Sequence, residues 1–159
     1  LVETNADDSV VEILGIPANS VVIKADDFPV PRYFFNDQKS ELKRADYIIV
    51  ALHNGHFYSL FIEMKRGKKL ESHIMSQLKG ALCLYRYIEE IGKIFWEKPD
   101  FLAGHNLRFI SISKTSIPKK PTRGNKFSLA DIYHDTPKNM LKISGSRTLR
   151  FEELISKPS

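Results

Sequence analysis

The clearest pattern of apolar and polar positions in the chain lies between residues 46 and 65. Two stretches, 47–52 and 57–62, are rich in β-branched, aromatic and aliphatic residues, which is typical of β-strands. Asn54-Gly55 separates them, and this dipeptide favours a type I′ turn because both central residues of that turn need positive φ. The pattern therefore predicts a β-hairpin with a two-residue turn.

The predicted turn also fixes which residues of the hairpin face each other. His53 pairs with His56, and the same rule places Asp46 directly opposite Glu63. Opposed side chains point to one face with their Cβ atoms about 4.5–5.5 Å apart, and Lys65 shares that face because alternate residues of a strand do so. Two carboxylates directly opposite each other destabilise a sheet, so we expect this pair to have a role other than in sheet stability.

Binding of a divalent cation between the two carboxylates would be such a role. Mg²⁺ is typically bound by one or two carboxylates, with waters and substrate phosphates completing its coordination. Lys65 would then hold or activate a water, or neutralise charge that develops on the phosphate. The alternative is that Asp46 only begins a strand and that Glu63 and Lys65 form its solvated end. The strands are apolar on both faces, as in sheets that are covered on both sides, and this favours the metal site.

The remaining patterns predict a single α/β domain over residues 1–159. Apolar residues recur at helical spacing between 73 and 91, which indicates an amphipathic helix. The predicted strand at 107–113 follows that helix, so a parallel β-α-β crossover is expected. The other predicted elements are a helix from Asp8 or Ser9 to Leu14, strand-like runs at 20–24, 140–143 and 148–151, a loop at 26–38 and a short helix at 152–155.

Asp46, the strand–turn–strand that follows it, Glu63-Met64-Lys65 and then a helix together resemble the PD-(D/E)XK nuclease superfamily. The resemblance covers roughly residues 40–115. It implies a restriction-endonuclease-like fold, in which a mixed central β-sheet is flanked by helices. The sequence departs from the family name at Ala45, where the name has proline.

The resemblance also implies the roles of individual residues. Asp46 and Glu63 become ligands of Mg²⁺, for which Mn²⁺ can substitute, and the backbone carbonyl of Met64 becomes a further ligand. Lys65 becomes the catalytic lysine that assists the attacking water. Gln77, on the helix that follows the motif, becomes a residue that supports the site, because many relatives carry a glutamine there.

Relatives often add an acidic residue from a first helix, and Glu12 is the candidate for this further ligand. Glu3 and Glu41 are weaker candidates. The alternative for each of the three is a solvated surface position with no part in the site.

A surface that contacts nucleic acid should carry positive charge. The chain has a net charge of +5 and a pI of about 9.3, which fits a polyanionic partner. Residues 114–126 hold five basic residues and no acidic one, which suits either a loop that contacts phosphates or a solvated loop. Residues 33–35 are aromatic, and they are expected to pack over the sheet, with stacking on bases as the alternative. The candidate phosphate-binding residues are Lys43, Arg44, Arg66, Lys68, Lys119, Lys120 and Arg123.

Composition narrows the class of protein further. The chain is 42% hydrophobic and 27% charged and has no run of 18 apolar residues, so no membrane partner is expected. Its single cysteine, Cys83, suits a reducing compartment, and the expected location is the cytoplasm or the nucleoid.

The resemblance implies a deoxyribonuclease, acting as an endonuclease rather than an exonuclease, with DNA as partner and a homodimer as assembly. The alternatives are a catalytically inactive nucleic-acid-binding module of the same fold and a protein-interaction module.

Overall fold

The computed structural model describes residues 1, 10–65, 70–113, 133–146 and 148–156. Within these ranges, no helix combines the length and the apolar character needed to cross a membrane. The α-helices and β-strands found there are, in chain order, β1 (Glu12–Leu14), β2 (Val21–Lys24), β3 (Tyr47–His53), β4 (His56–Lys65), α1 (Glu71–Phe95), β5 (Asn106–Ser113), β6 (Leu141–Ser144), β7 (Thr148–Arg150) and α2 (Phe151–Ile155).

Five strands form one mixed sheet in the order β2-β3-β4-β5-β6. β3 pairs antiparallel with both β2 and β4, whereas β5 pairs parallel with β4 and β6 pairs parallel with β5. α1 carries the chain across between β4 and β5, as a parallel connection requires. β1 and β7 form a separate two-stranded parallel sheet. The predicted mixed α/β class is confirmed.

The hairpin forms at the dipeptide that predicts it. Asn54 and Gly55 both have positive φ, 48° and 79°, as a type I′ turn requires. β3 pairs with β4 in unbroken register from His53 and His56 onward. The predicted turn and the predicted register are therefore confirmed.

Both faces of the central sheet are covered, which explains why its middle strands are apolar throughout. α1 packs on the side that carries Ile48, Phe61 and Phe109, and this side is called the helix face. Ile49 and Leu60 point to the opposite face. There they join apolar residues of β1, β7, α2 and the segment before β1: Val11, Ile13, Leu149, Phe151, Leu154 and Ile155.

The helix predicted to end at Leu14 is wrong, whereas the helix predicted over 73–91 is confirmed with longer bounds. Residues Glu12–Leu14 form strand β1 and not the end of a helix. In this strand Ile13 is half-buried between two exposed neighbours, a period of two that three residues are too few to reveal. α1 runs from Glu71 to Phe95 and so extends beyond the predicted 73–91 at both ends.

Candidate active site

The two acidic residues of the motif lie where the hairpin register places them. Asp46 immediately precedes β3, and Glu63 lies near the end of β4. Tyr47 pairs with Ile62, so Asp46 stands opposite Glu63 one step beyond the paired residues. Both residues are buried, with 6% and 0% of their surface exposed. Charged side chains are rarely buried to this degree unless they are paired or bind a metal.

A backbone group of the motif also faces Asp46. The Met64 amide donates a hydrogen bond of 2.6 Å to Oδ2 of Asp46. Within an antiparallel pair the N–H and C=O of one residue point to the same neighbouring strand, so the Met64 carbonyl lies on the Asp46 side of β4. The backbone of Asp46 is held in turn, because its carbonyl accepts a 2.8 Å hydrogen bond from the Ala25 amide. Asp46, Glu63 and the backbone of Met64 thus share the end of the hairpin.

Lys65 completes this group from the rim of the sheet. Its ammonium forms an ion pair with Oε1 of Glu63, and its side chain is about 10% exposed whereas that of Glu63 is fully buried. The ion pair therefore joins two buried charged residues, of which the lysine is slightly exposed. Removing either partner of a buried ion pair leaves an uncompensated charge and is strongly destabilising, so the pair also ties the two residues to one geometry.

Strand β5 contributes two residues to the site's surroundings that the sequence does not single out. Ser111 pairs with Glu63 and Ser113 pairs with Lys65. Ser111 is buried, with 4% of its surface exposed. It lies two residues after Phe109 in β5 and therefore shares the helix face with it. The sequence alone does not show that Ser111 lies beside Glu63, because this depends on the parallel register of β5 with β4.

α1 holds the segment that leads into Asp46. Nε2 of Gln77 donates a 3.4 Å hydrogen bond to the carbonyl of Arg44, so Gln77 contacts the backbone two residues before Asp46. One turn further on, Gly80 faces the carbonyl of Lys43 so closely that a Cβ on Gly80 would lie 2.9 Å from the carbonyl carbon. The helix therefore packs directly against the backbone that precedes the first carboxylate.

The basic residues that the sequence proposes have several placements. The Arg44 guanidinium donates hydrogen bonds to the carbonyls of Phe28 (2.6 Å) and Pro29 (2.9 Å), so this side chain fastens the loop that precedes it. Burial lowers the pKa of Arg44, although an arginine remains charged at any physiological pH. Lys43 is exposed. Arg66, Lys68, Lys119, Lys120 and Arg123 lie outside the described residues.

The loop at 26–38 differs from the prediction in the placement of its aromatic residues. Tyr33, Phe34 and Phe35 are 102%, 86% and 52% exposed. The expectation that they pack over the sheet is therefore wrong. Nearly all of the loop from residue 26 to residue 38 is exposed, so its aromatic residues are not part of a packed layer.

The candidate fourth ligand lies apart from the two carboxylates. Glu12 is exposed on β1, and β1 packs over the opposite face of the sheet, not over the helix face. The Glu41 carboxylate accepts a 2.8 Å hydrogen bond from the Lys39 amide, and Glu3 lies outside the described residues. Among the residues that the structure describes, no three His, Cys, Asp or Glu side chains come together as a metal-binding group.

A second buried polar cluster lies towards the start of β4, and its groups form hydrogen bonds with one another. The Tyr85 hydroxyl donates to the carbonyl of Leu102 (3.2 Å) and accepts from the Ser59 hydroxyl (3.1 Å). The same serine oxygen lies 2.9 Å from Nδ1 of His105, and burial lowers the pKa of His105. These groups satisfy one another, so this cluster stabilises the packing of α1 on the sheet.

A scan against protein-family models found no match to this chain, and searches of the curated proteins and of the solved structures found none either. The chemistry of the site is therefore argued from its own residues: two buried carboxylates, a backbone carbonyl beside them and a lysine at the rim.

Proposed function

We propose that this chain is a metal-dependent nuclease with a restriction-endonuclease-like fold, and that it hydrolyses phosphodiester bonds in DNA. One observation carries the proposal: Asp46 and Glu63 are both buried and stand opposite each other at the end of a hairpin, with Lys65 paired to Glu63. Opposed carboxylates are unfavourable in a sheet that serves only as structure. The antiparallel hairpin followed by a helix and a parallel strand supports the same fold.

The residues present suit Mg²⁺ or Mn²⁺. Asp46, Glu63 and the Met64 carbonyl offer only oxygen atoms, and carboxylates with carbonyls and waters are the ligands that these cations prefer. When bound, the cation would activate a water and offset charge on the phosphate. The two carboxylates bring negative charge to a buried position, where it is costly unless it is compensated.

The residues of the chain have distinct tasks in this proposal. Lys65 holds a positive charge beside the scissile phosphate, where negative charge builds up in the transition state. Glu63 orients that ammonium through the ion pair between them. Gln77 keeps the backbone before Asp46 in position through its hydrogen bond to Arg44. The basic residues around the site neutralise neighbouring phosphates.

The test is cleavage of plasmid DNA by the purified chain with Mg²⁺, comparing wild type with Lys65→Met and Glu63→Gln. Lys65→Met keeps most of the apolar stem and removes the charge. We expect the cleavage rate of Lys65→Met to fall by about 100-fold or more, as for one well-placed charge-stabilising donor. Removing the partner of buried Glu63 is destabilising, so cleavage and binding are compared below the Tm of the variant. DNA affinity of the folded variant should change little, because the charge acts in the transition state.

Lys93→Met is the matched control. Lys93 is also an ion-paired lysine, but it lies near the C-terminal end of α1, whereas the candidate site lies near the N-terminal end of this helix. This variant should cleave at the wild-type rate. Wild-type cleavage by Lys65→Met would remove the central residue from the proposal. DNA binding without any cleavage by the wild type would instead indicate an inactive binding module, and neither activity would indicate a protein-interaction module.

A further inference from the structure

The aromatic tip, residues Tyr33, Phe34 and Phe35, is an exposed apolar feature that the proposed nuclease chemistry does not use. Three consecutive aromatic side chains have 102%, 86% and 52% of their surface exposed. Single exposed apolar residues are ordinary, but contiguous ones mark binding surfaces. The tip therefore calls for a ligand with flat apolar faces.

The loop that carries this tip begins beside the candidate active site. The Ala25 amide, just before the loop, donates to the carbonyl of Asp46 at 2.8 Å. A few residues further on, the carbonyls of Phe28 and Pro29 accept hydrogen bonds from the guanidinium of Arg44. These hydrogen bonds fasten residues 25–29, where the loop begins, within two residues of the first carboxylate, so the loop that carries the tip starts at the candidate site.

The tip is held in a defined turn. The amides of Phe34 and Phe35 both donate to the carbonyl of Pro31, at 3.0 and 3.2 Å, and the Arg32 amide donates to the carbonyl of Val30 at 2.8 Å. A backbone that is ordered before binding loses less conformational entropy on binding. The turn therefore orders the backbone that carries the two most exposed rings.

The charge of the loop fits a nucleic-acid strand. Residues 28–45 contain four basic and two acidic residues, and Phe35 lines a groove of about 850 Å³ together with Arg32 and Lys43. Asp26 and Asp37 also line this groove, and the Asp37 carboxylate accepts a hydrogen bond from the Leu42 amide. Aromatic rings beside basic side chains are the combination that binds single strands, because every base offers a π-face.

We propose that Tyr33 and Phe34 stack on unpaired bases of the nucleic acid that the candidate site cleaves, so that the substrate is a single strand or a duplex with unpaired bases. In duplex DNA the faces of the bases are already stacked on one another, and only unpaired bases offer them to a protein. This inference rests on the proposed nuclease function, and it adds to that function the structural class of the substrate.

The test measures binding and cleavage separately. Fluorescence anisotropy with labelled single-stranded oligothymidine and with a labelled duplex, both in EDTA, reports affinity in the absence of cleavage. The wild type should bind the single strand more tightly, and Tyr33→Ala/Phe34→Ala should weaken single-strand binding by about 10-fold or more while duplex binding changes little. Tyr33→Phe should retain binding because it keeps the ring. Tyr87→Ala is the matched control, since Tyr87 is an exposed ring on α1, 64% exposed, away from the loop.

Several results would overturn the inference. Equal losses for single strand and duplex, or no loss for either, would show that the rings do not stack on unpaired bases. Altered self-association of the double variant in light scattering, with unchanged oligonucleotide binding, would show that the tip binds protein instead.

The two proposals fail in different ways. If the wild type cleaves DNA with Mg²⁺ and the double variant binds and cleaves single strands equally well, only the stacking inference is wrong. If the wild type binds single strands through the two rings but cleaves nothing, stacking stands and the nuclease proposal is wrong. No nucleic-acid binding at all would overturn both.

Discussion

Replacing Gly80 by alanine tests how α1 positions the candidate site. Gly80 is buried on the side of α1 that faces the segment leading to Asp46. A Cβ there would lie 2.9 Å from the carbonyl carbon of Lys43 and closer still to its oxygen, whereas ordinary contacts are 3.4–4 Å. The obstacle is backbone, so it cannot rotate away as a side chain can. The helix and residues 43–44 must therefore separate by on the order of 1 Å.

Two opposing effects set the size of the change in stability. Alanine is a better helix former than glycine by about 1 kcal/mol, which by itself would stabilise α1. Overpacking of a tight core contact costs about 3 kcal/mol at the upper end of its usual range, and a clash with backbone belongs there. The net decrease in the free energy of unfolding should be about 2 kcal/mol. For a chain of this length that corresponds to a fall in Tm of about 4–8 °C.

The same displacement should reach the proposed chemistry, because the segment that moves ends at Asp46. A misplacement of about 1 Å at a catalytic group can reduce the rate about 100-fold. The assay is thermal unfolding followed by circular dichroism, together with plasmid cleavage measured well below the Tm of the variant. The unfolding result does not depend on the proposed function, whereas the cleavage result does.

Gly92→Ala is the control for Gly80→Ala. It makes the same exchange in the same helix, but the added Cβ meets the side chain of Phe101, far along α1 from the segment before Asp46. It should be less stable than the wild type and keep the cleavage rate of its folded molecules. If Gly80→Ala melts at or above the wild-type temperature and cleaves normally, α1 does not press on this backbone, and the account of how Asp46 is positioned is wrong.

Three further predictions follow from charge and burial. Replacing Lys119, Lys120 and Arg123 together by alanine should reduce the slope of log affinity against log salt by about 0.9 for each phosphate of duplex DNA that these side chains neutralise. An unchanged slope would show that these side chains contact no phosphate. Burial lowers the pKa of His134, so its neutral form is favoured in the folded chain, and stability should be complete above the ordinary pKa of about 6.5 and decline as the pH falls below it. Urea unfolding at pH 7.5 and 5.5 should show a smaller decline for His134→Gln than for wild type, and equal declines would refute this. Asp46→Asn should raise stability in EDTA and abolish the stabilisation by Mg²⁺ that the wild type shows.

The hairpin is the part of the fold that the sequence specifies most completely. Asn54-Gly55 selects one turn type, the turn sets the register, and the register brings Asp46 opposite Glu63. Each step uses interactions between residues close in the sequence. Local chemistry is therefore enough to predict the two carboxylates of the candidate site.

Features that depend on distant parts of the chain are not predictable in this way. β1 and β7 pair over more than 130 residues, and each contains only three residues. Three residues are too few to show a period in the sequence, so neither strand can be predicted from its own residues. The placement of Ser111 beside Glu63 likewise depends on the parallel register of β5 with β4, which no turn chemistry fixes.

Gly80 shows how the same residue type changes meaning with its surroundings. In the sequence, a glycine in the middle of a predicted helix only lowers its helical propensity. In the structure it allows α1 to approach the backbone of Lys43. The exposure of Tyr33 and Phe34 is the converse case: aromatic residues are usually buried in a core, and only the course of the loop shows that these two are not.

The prediction for Asp46→Asn expresses a conflict between stability and function at the candidate site. Asparagine keeps an oxygen that can accept the Met64 amide, the hydrogen bond that Asp46 makes, and it removes one of two opposed negative charges. Opposed like charges cost about 0.2–1 kcal/mol, so the variant should be the more stable protein in EDTA. A cation that binds only the folded wild type adds about 2.7 kcal/mol at 100 times its Kd, which is roughly 5–11 °C in Tm. The order of the two melting temperatures should therefore reverse between EDTA and saturating Mg²⁺. Ser76→Ala, at a half-buried position of α1, should respond to Mg²⁺ as the wild type does. If Mg²⁺ and Mn²⁺ leave the Tm of the wild type unchanged, the two carboxylates do not bind a cation, and their opposition needs another explanation.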